Sequence, residues 1–562
     1  MTQTDLFPGQ SGLPVDNPTE SYWHREPSEK LLGHRTTEQL PRTADVVIVG
    51  SGITGAFAAH FLKEKRPDLE IVMLEAREAC WGATGRNGGH CQPAMYAAAP
   101  HIASFELRNY AYLKTLVESY SIACDWHSTS GVHAYYSKPL FAEVRRAVER
   151  LADTYPDLAA NVELVTKSGG GGGKGSGGGS DGGVKWLLEQ ERRETTLEGL
   201  RVGRAEGAVV QWHAASLWPY KLVAFVLERL LAAGRFNLQT KTPVTGLSSS
   251  PSPSPSLRQT TAAAAPAANL LWTAHTPRGS VTAPRVLLAT NAYTSHLLPP
   301  FADLIVPVRG QVSSLKPPPP PPFPSTAPTT TAAAAAAPAA SDKPSPPLDI
   351  GHTFYIAGEP DDPYSRDDYL IQRPPAAAEL VFGGGRQHAR GRGVGVWDDG
   401  DIDEPVAWYL RGELGNLVDL SHAPPAGNEA GEGRKRGDLE PTRQWTGIMG
   451  FSRDGHPWVG GVPAALGGGP GLAVCAGYTG HGMPNAVLSA KAAAQHLLLL
   501  SRVGGVGEGA DADGEEEEEE IIDLPPEYLV TEERAVAARL WDEVDVVDAK
   551  GSLFMEWGDM RV

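Results

Sequence analysis

Asp45-Val-Val-Ile-Val-Gly50-Ser-Gly52-Ile-Thr-Gly55 is the stretch whose reading decides the fold of this 562-residue chain. A β-branched run leads into Gly-x-Gly-x-x-Gly, and Ala56 to Lys65 follow at helical spacing. Leu69-Glu-Ile-Val-Met-Leu-Glu75 then ends a second strand on an acid 20 positions past Gly55. In this strand, turn, helix and strand context the glycines read as a dinucleotide cradle. Gly50 permits the tight turn, Gly52 leaves room for a pyrophosphate against the backbone, and Gly55 lets the helix lie close to the strand. At Ile53 and Thr54 the helix start offers unpaired N–H groups and the positive end of its dipole. Glu75 is expected to accept hydrogen bonds from an adenosine ribose and to repel a 2′-phosphate, which disfavours NADP. NAD and FAD both suit such a cradle.

The next segment, Ala76-Arg77-Glu-Ala-Cys-Trp81-Gly82-Ala83-Thr84-Gly85-Arg86-Asn87-Gly88-Gly89-His90, is dense enough in glycine to bring backbone against a ligand. Its Gly-Ala-Thr-Gly-Arg-Asn-Gly-Gly string resembles the second phosphate and flavin loop of the D-amino-acid-oxidase-like FAD-dependent oxidoreductases, the group holding glycine, sarcosine and γ-glutamylputrescine oxidases. Further segments resemble the same family. Thr242-Pro-Val244 is similar to the strand whose valine main chain contacts adenine. Val286-Leu-Leu-Ala289-Thr290-Asn291 is similar to the segment passing near the cofactor. Pro307-Val-Arg309-Gly310-Gln311, Tyr369-Leu-Ile-Gln-Arg373 and Phe382-Gly-Gly-Gly385-Arg386 resemble strands of its substrate domain, and Trp445-Thr-Gly447 and Ala476-Gly477-Tyr478-Thr479-Gly480-His481-Gly482-Met483 its closing strand and helix. The resemblance covers roughly residues 20 to 500 and implies FAD, bound by the residues of the cradle, the glycine loop, Val244, Ala289, Thr290 and the closing motif Gly477, Tyr478 and Gly480 to Met483. It implies an α/β fold: a Rossmann-like FAD-binding domain and a second, mixed-sheet substrate domain. The closing motif also has its own physics. A helix that starts at Gly480-His-Gly482 can point its positive end at the electron-rich edge of a flavin, with His481 as a second electrostatic partner.

Departures from the family sharpen the expectation. Some relatives carry the flavin covalently, on a His in the loop after the ribose acid or on a Cys in the Trp-x-Gly strand. Here those positions are Arg86 and fall near Gly447, so non-covalent FAD is expected. Sarcosine-type oxidases hold the substrate carboxylate with a Lys just after Gly-His-Gly-Phe; Pro484 stands there, which disfavours simple N-methyl amino acids. Arg309, Arg373 and Arg386 are the candidates for a carboxylate clamp, since a planar guanidinium pairs bidentately with carboxylate. The expected reaction is oxidation of a C–N bond of an amine or amino acid, with O₂ as acceptor. A quinone- or carrier-linked dehydrogenase and a non-enzymatic flavin-binding protein are the alternatives.

Composition bounds the rest. There are 49 Lys+Arg against 67 Asp+Glu, a net charge of −18, so a nucleic-acid footprint is not expected. The 16 histidines show no metal-ligand spacing, and the four cysteines, without Cys-x-x-Cys, point to a reducing compartment. The first ten residues lack a secretory pattern, and no run of about 18 apolar residues exists, so a cytoplasmic protein without a membrane span is expected. Five low-complexity stretches, 168–183, 248–268, 316–347, 422–438 and 503–520, carry too few large apolar side chains to offset their ordering entropy and read as loops. The domain reading is an extension at 1–43; FAD-binding parts at 44–130, 206–306 and 441–502; substrate-domain parts at 131–205 and 307–440; and a tail at 503–562.

Overall fold

The computed structural model describes residues 6, 9–167, 195–251, 270–320, 347–362, 365–375, 377–422, 437–499 and 524–540. Strand β1 (Val46–Val49) and strand β2 (Ile71–Leu74) are buried along their whole length, as β-branched runs covered on both faces should be. They flank helix α1 (Ile53–Lys65) in sequence. The sheet they belong to has six strands, in the order Trp458–Gly461, Leu472–Ala476, Val286–Leu288, β1, β2, Phe236–Gln239. All neighbours pair in parallel except Trp458–Gly461, which closes one edge antiparallel. Helix α1 packs on the alanine-rich helix Ala486–Leu499, where small side chains let the two approach closely.

A mixed sheet of nine strands forms the second layer system. Its path runs Pro441–Ser452, Ile305–Leu315, Leu380–Gly384, Asp367–Gln372, Thr353–Ala357, His127–Tyr135, Gly207–Ser216, His90–Cys91, with Val162–Thr166 pairing off the path. Thr353–Ala357 and His127–Tyr135 are parallel, and the remaining pairs are antiparallel. The α/β class with a mixed second sheet is thus the observed one. Gly207–Ser216 and Pro441–Ser452, which the domain reading placed in FAD-binding parts, pair in this sheet with His127–Tyr135 and Ile305–Leu315.

Leu222, Phe225, Val226, Leu230 and Leu231, which recur at helical spacing, lie on the helix Pro219–Ala233, with Leu222, Val226 and Leu230 buried and the other two packed against the core. Residues 168–183 and 503–520 lie outside the described residues, as do most of the other three low-complexity stretches. Ser248 to Pro251 differ from the expected loop: they finish the strand Gly246–Pro251, whose backbone is paired by Leu270–Thr276. No described helix is long and apolar enough to cross a membrane.

Candidate functional site

A cavity of about 400 Å³ opens at the carboxyl ends of the parallel strands, where Val49, Leu74 and Ala289 line it. Ligands of open α/β sheets bind at this end. Gly50 has a φ of +104°, and a Cβ there would stand 2.5 Å from the Ala289 carbonyl oxygen. A Cβ on Gly55 would stand 2.0 Å from the Gly50 carbonyl oxygen. Glycine alone fits both positions, which brings turn, strand and helix together. Helix α1 begins at Gly52 without a side-chain cap. Thr84 of the glycine loop comes up to it, its Oγ1 accepting from the Ile53 N–H at 3.0 Å. Glu75 accepts from the Ser51 N–H at 2.9 Å and hydroxyl at 2.6 Å, and from the Arg77 N–H at 2.9 Å. A carboxylate has about four acceptor positions, so one remains for a ribose hydroxyl.

The glycine loop is held from both sides. Arg86, 2% exposed, donates to the Thr446 carbonyl at 2.6 Å and to Thr19 at 2.5 and 2.6 Å, and lies 3.1 Å from Asp399. Asp399 also receives Arg77 at 2.9 and 3.0 Å. Burial pushes the Arg86 guanidinium down to about 10, against the pull of Asp399. Its Nη1 is buried with no partner, in the wall of the cavity. From the N-terminal side, Ser21 donates to the Gly85 carbonyl at 2.8 Å and the Trp23 indole to the Asn87 carbonyl at 2.5 Å.

The closing motif lines the same cavity, with the Tyr478 hydroxyl 2.9 Å from Thr54 Oγ1. His481 Nε2 lies 2.9 Å from Glu106, whose other oxygen accepts from the Asn485 amide at 2.7 Å. A carboxylate accepts only, so the His481 Nε2 carries a proton and donates it to Glu106. Beside it, His90, Gln92 and His133 line the cavity. Gln92 Nε2 and His133 Nε2 are 2.6 Å apart, and His133 Nδ1 is 2.6 Å from the Tyr96 hydroxyl. Burial pushes His90 down to about 4 and His133 to about 3, so both are neutral near pH 7. The His90 Nε2 has no protein partner.

Every residue expected to hold the cofactor lines this cavity except Gly55, Gly85, Gly89 and Gly477. Those four serve close packing. A Cβ on Gly85 would meet the Cys80 carbonyl and the His24 ring, and one on Gly89 the Trp23 ring. Gly477, at a φ of +82°, sits between Ile305 and Trp458. The three arginines separate. Arg386 lines the cavity, binds Asp367 through Nε at 3.2 Å and Nη2 at 2.5 Å, and leaves Nη1 buried without a partner. Arg309 donates to the Asp398 carbonyl and Arg373 pairs with Asp125 among Tyr22, Trp23 and Trp218; neither lines the cavity. Tyr369, from a segment quoted for its resemblance, lines it as well, and Leu13, Pro14, His133, Tyr355 and Asp367 line it without having been picked out in the sequence. Glu106 and Asp399, its supports, carried no signal either: one reads as a polar position on a helix and the other as a loop acid.

The residues fit an extended dinucleotide. The capless helix start and the glycine approach leave space beside backbone donors, and the unpartnered Arg86 Nη1 and His90 Nε2 need polar partners that no protein group supplies.

A family model described as DAO, FAD dependent oxidoreductase, matches residues 45–496. A probable malate:quinone oxidoreductase of Bordetella avium (strain 197N) is 49% identical over 45 residues, which are 8% of this chain and 9% of that protein. Among solved structures, glycine oxidase from Geobacillus kaustophilus superposes with a TM-score of 0.53 at 16% identity, over 82% of this chain and 95% of that one. L-amino acid deaminase from Proteus vulgaris, with its specific insertion sequence deleted, gives 0.53 at 16% identity over 85% and 96%. At such identities these two likenesses speak for the fold.

Proposed function

Because the chain belongs to the DAO family of FAD-dependent oxidoreductases, we propose that it oxidises the C–N bond of an amino acid, or of an amine bearing a carboxylate, with non-covalently bound FAD and O₂ as the acceptor. The carrying observation is Arg386. The residue lines the cavity, and its guanidinium is held by Asp367 through two nitrogens while Nη1 is buried without a partner. Arg86, the other cavity arginine with an unpartnered nitrogen, belongs to the glycine loop, so Arg386, beside Asp367, is the cation assigned to a substrate carboxylate. The printed names of the structural relatives, glycine oxidase and L-amino acid deaminase, agree with such a substrate.

Bound FAD supplies the two-electron acceptor. The chain's own residues bind, orient and exclude water. The cradle and Glu75 would hold the dinucleotide end, the Arg86 loop and the Gly480-His-Gly482 turn the ring system, and Tyr355, Tyr369 and Phe451 would wall the substrate end. The amine must be uncharged to react. Burial keeps His133 neutral, so it adds no like charge beside the amine. The resulting imine is hydrolysed by water.

Non-covalent attachment is supported by the two places where relatives form the link. A Cβ on Gly447 would stand 3.1 Å from the Arg86 Cβ, so both positions face one spot, and neither offers a nucleophile. The four cysteines are free and buried, which suits a reducing, cytoplasmic setting. The test is an anaerobic screen of amino acids and amines on the purified protein, watching the flavin band. Bleaching by carboxylate-bearing amines, abolished or moved to much higher substrate concentration in Arg386→Met, is expected. Bleaching that ignores the carboxylate or the substitution overturns the reading. Re-oxidation in air with hydrogen peroxide release identifies O₂ as acceptor, and reduction of a quinone-like dye without peroxide points to the dehydrogenase alternative.

A further inference from the structure

The family match ends at residue 496, yet residues 524–540 fold back onto the edge of the parallel sheet. Val530 donates to the Val459 carbonyl at 3.3 Å, and Leu529 bridges to the same residue. Arg534 grips both oxygens of Asp454 at 2.7 and 3.0 Å and lies 3.7 Å over the Trp458 ring. The short helix Glu532–Ala538 is capped by Thr531. This clamps one segment of the chain across the edge of the parallel sheet.

Tyr528 leads from that strap to the cavity. It is 2% exposed, stands edge-on to Phe105, and donates its hydroxyl to the Asn485 side-chain oxygen at 2.8 Å. That bond fixes which way the Asn485 amide points. Its nitrogen then donates to Glu106 at 2.7 Å, and the second Glu106 oxygen receives His481 at 2.9 Å and the Ala94 N–H at 2.7 Å. Every link is directional: hydroxyl to amide oxygen, amide nitrogen to carboxylate, imidazole N–H to carboxylate. Tyr528, Asn485 and Glu106 are all buried, so water does not substitute for a lost member without rearrangement.

We infer that Tyr528 is a positioning residue of the active site, holding His481 in orientation and tautomer beside the flavin through Asn485 and Glu106, so that the C-terminal strap tunes the cofactor as well as bracing the fold. The inference rests on the reading of His481 as a neighbour of the flavin given above. A merely structural strap would change melting temperature and leave the bound cofactor's electronics alone.

The test uses the full-length, FAD-loaded protein and the two-electron potential of its flavin, which needs no substrate. His481→Ala is expected to change the oxidised-to-reduced ratio at fixed potential. Tyr528→Phe, which keeps the ring against Phe105, is expected to change it in the same direction by about threefold, and to add nothing in the His481→Ala background, since groups acting through one chain are non-additive. If Tyr528→Phe does not retain FAD, Asn485→Ser cuts the same chain one link further in and is read identically. A potential moved by His481→Ala but not by Tyr528→Phe, or effects that add in the double variant, overturns the inference and leaves the reading of His481 standing. A potential that His481→Ala does not move overturns both.

Discussion

Gly52 sets the hardest limit on the site. A Cβ there already stands 3.0 Å from Thr84 Oγ1, and a branched side chain would occupy the space over the bare start of helix α1. Gly52→Val is therefore expected to abolish FAD uptake, read as a flavin-to-protein ratio near zero in folded protein; a fully loaded variant contradicts the cradle. Glu75 carries two duties, since it holds Ser51 and Arg77 as well as the position left for a ribose. Glu75→Ala should weaken FAD binding by about 1 to 3 kcal/mol, measured by reconstitution of apoprotein, and an unchanged affinity counts against its role. These residues were legible because glycine spacing and an acid at a strand end carry their function in the chain itself. Asp399 was not: its meaning comes from Arg77 and Arg86, some 322 positions away for the first of them, and no local pattern announces such a pairing. Arg309, Arg373 and Arg386 looked equivalent as sequence, and burial and partner separate them.

Elements were legible where the period was long and clean. The run Thr54 to Lys65 reads as a helix and α1 begins one residue earlier, at Ile53; Asn485 to Leu500 reads as the closing helix observed at Ala486–Leu499. What the period does not tell is how closely those two helices pack. Ala490 and Ala493 are fully buried, so Ala490→Leu should overpack the closing helix at a cost of about 1 to 3 kcal/mol, seen in denaturant unfolding of the FAD-loaded protein. A loss under half of that would mean the helix has room to shift. The strap at 524–540 was read as part of a tail, since its few apolar residues show no period and its anchors, Arg534 to Asp454 and Tyr528 to Asn485, are long-range. Gly207–Ser216 and Pro441–Ser452 make the same point for sheets: an alternating strand says that it pairs, and its register partner says with what.

The whole molecule also has an acid response written into it. His24, His90 and His133 are pushed by burial to about 3, 4 and 3, against an ordinary value of 6.5. Each binds its proton more readily unfolded, so the stability present above 6.5 is lost as pH falls toward those values. Asp368 works the other way. Burial raises it to about 7 from 3.8, so its contribution is full at low pH and is lost as pH rises through that window. Three groups oppose one, and melting temperature is expected to fall between about pH 7 and about pH 5. Asp368→Asn, which keeps partners for Tyr409 and Gly385, should steepen that fall; a flatter profile contradicts the assignment.

At this scale the account comes down to one claim, that the space between the parallel and mixed sheets is filled by FAD that is not bonded to protein. The absorption spectrum of the purified chain, taken before and after acid precipitation, tests it most directly. The expected result is a yellow protein whose flavin bands leave entirely with the supernatant and whose pellet is white. Colourless protein that takes up no added FAD contradicts the cradle, and colour that stays with the pellet contradicts the non-covalent attachment.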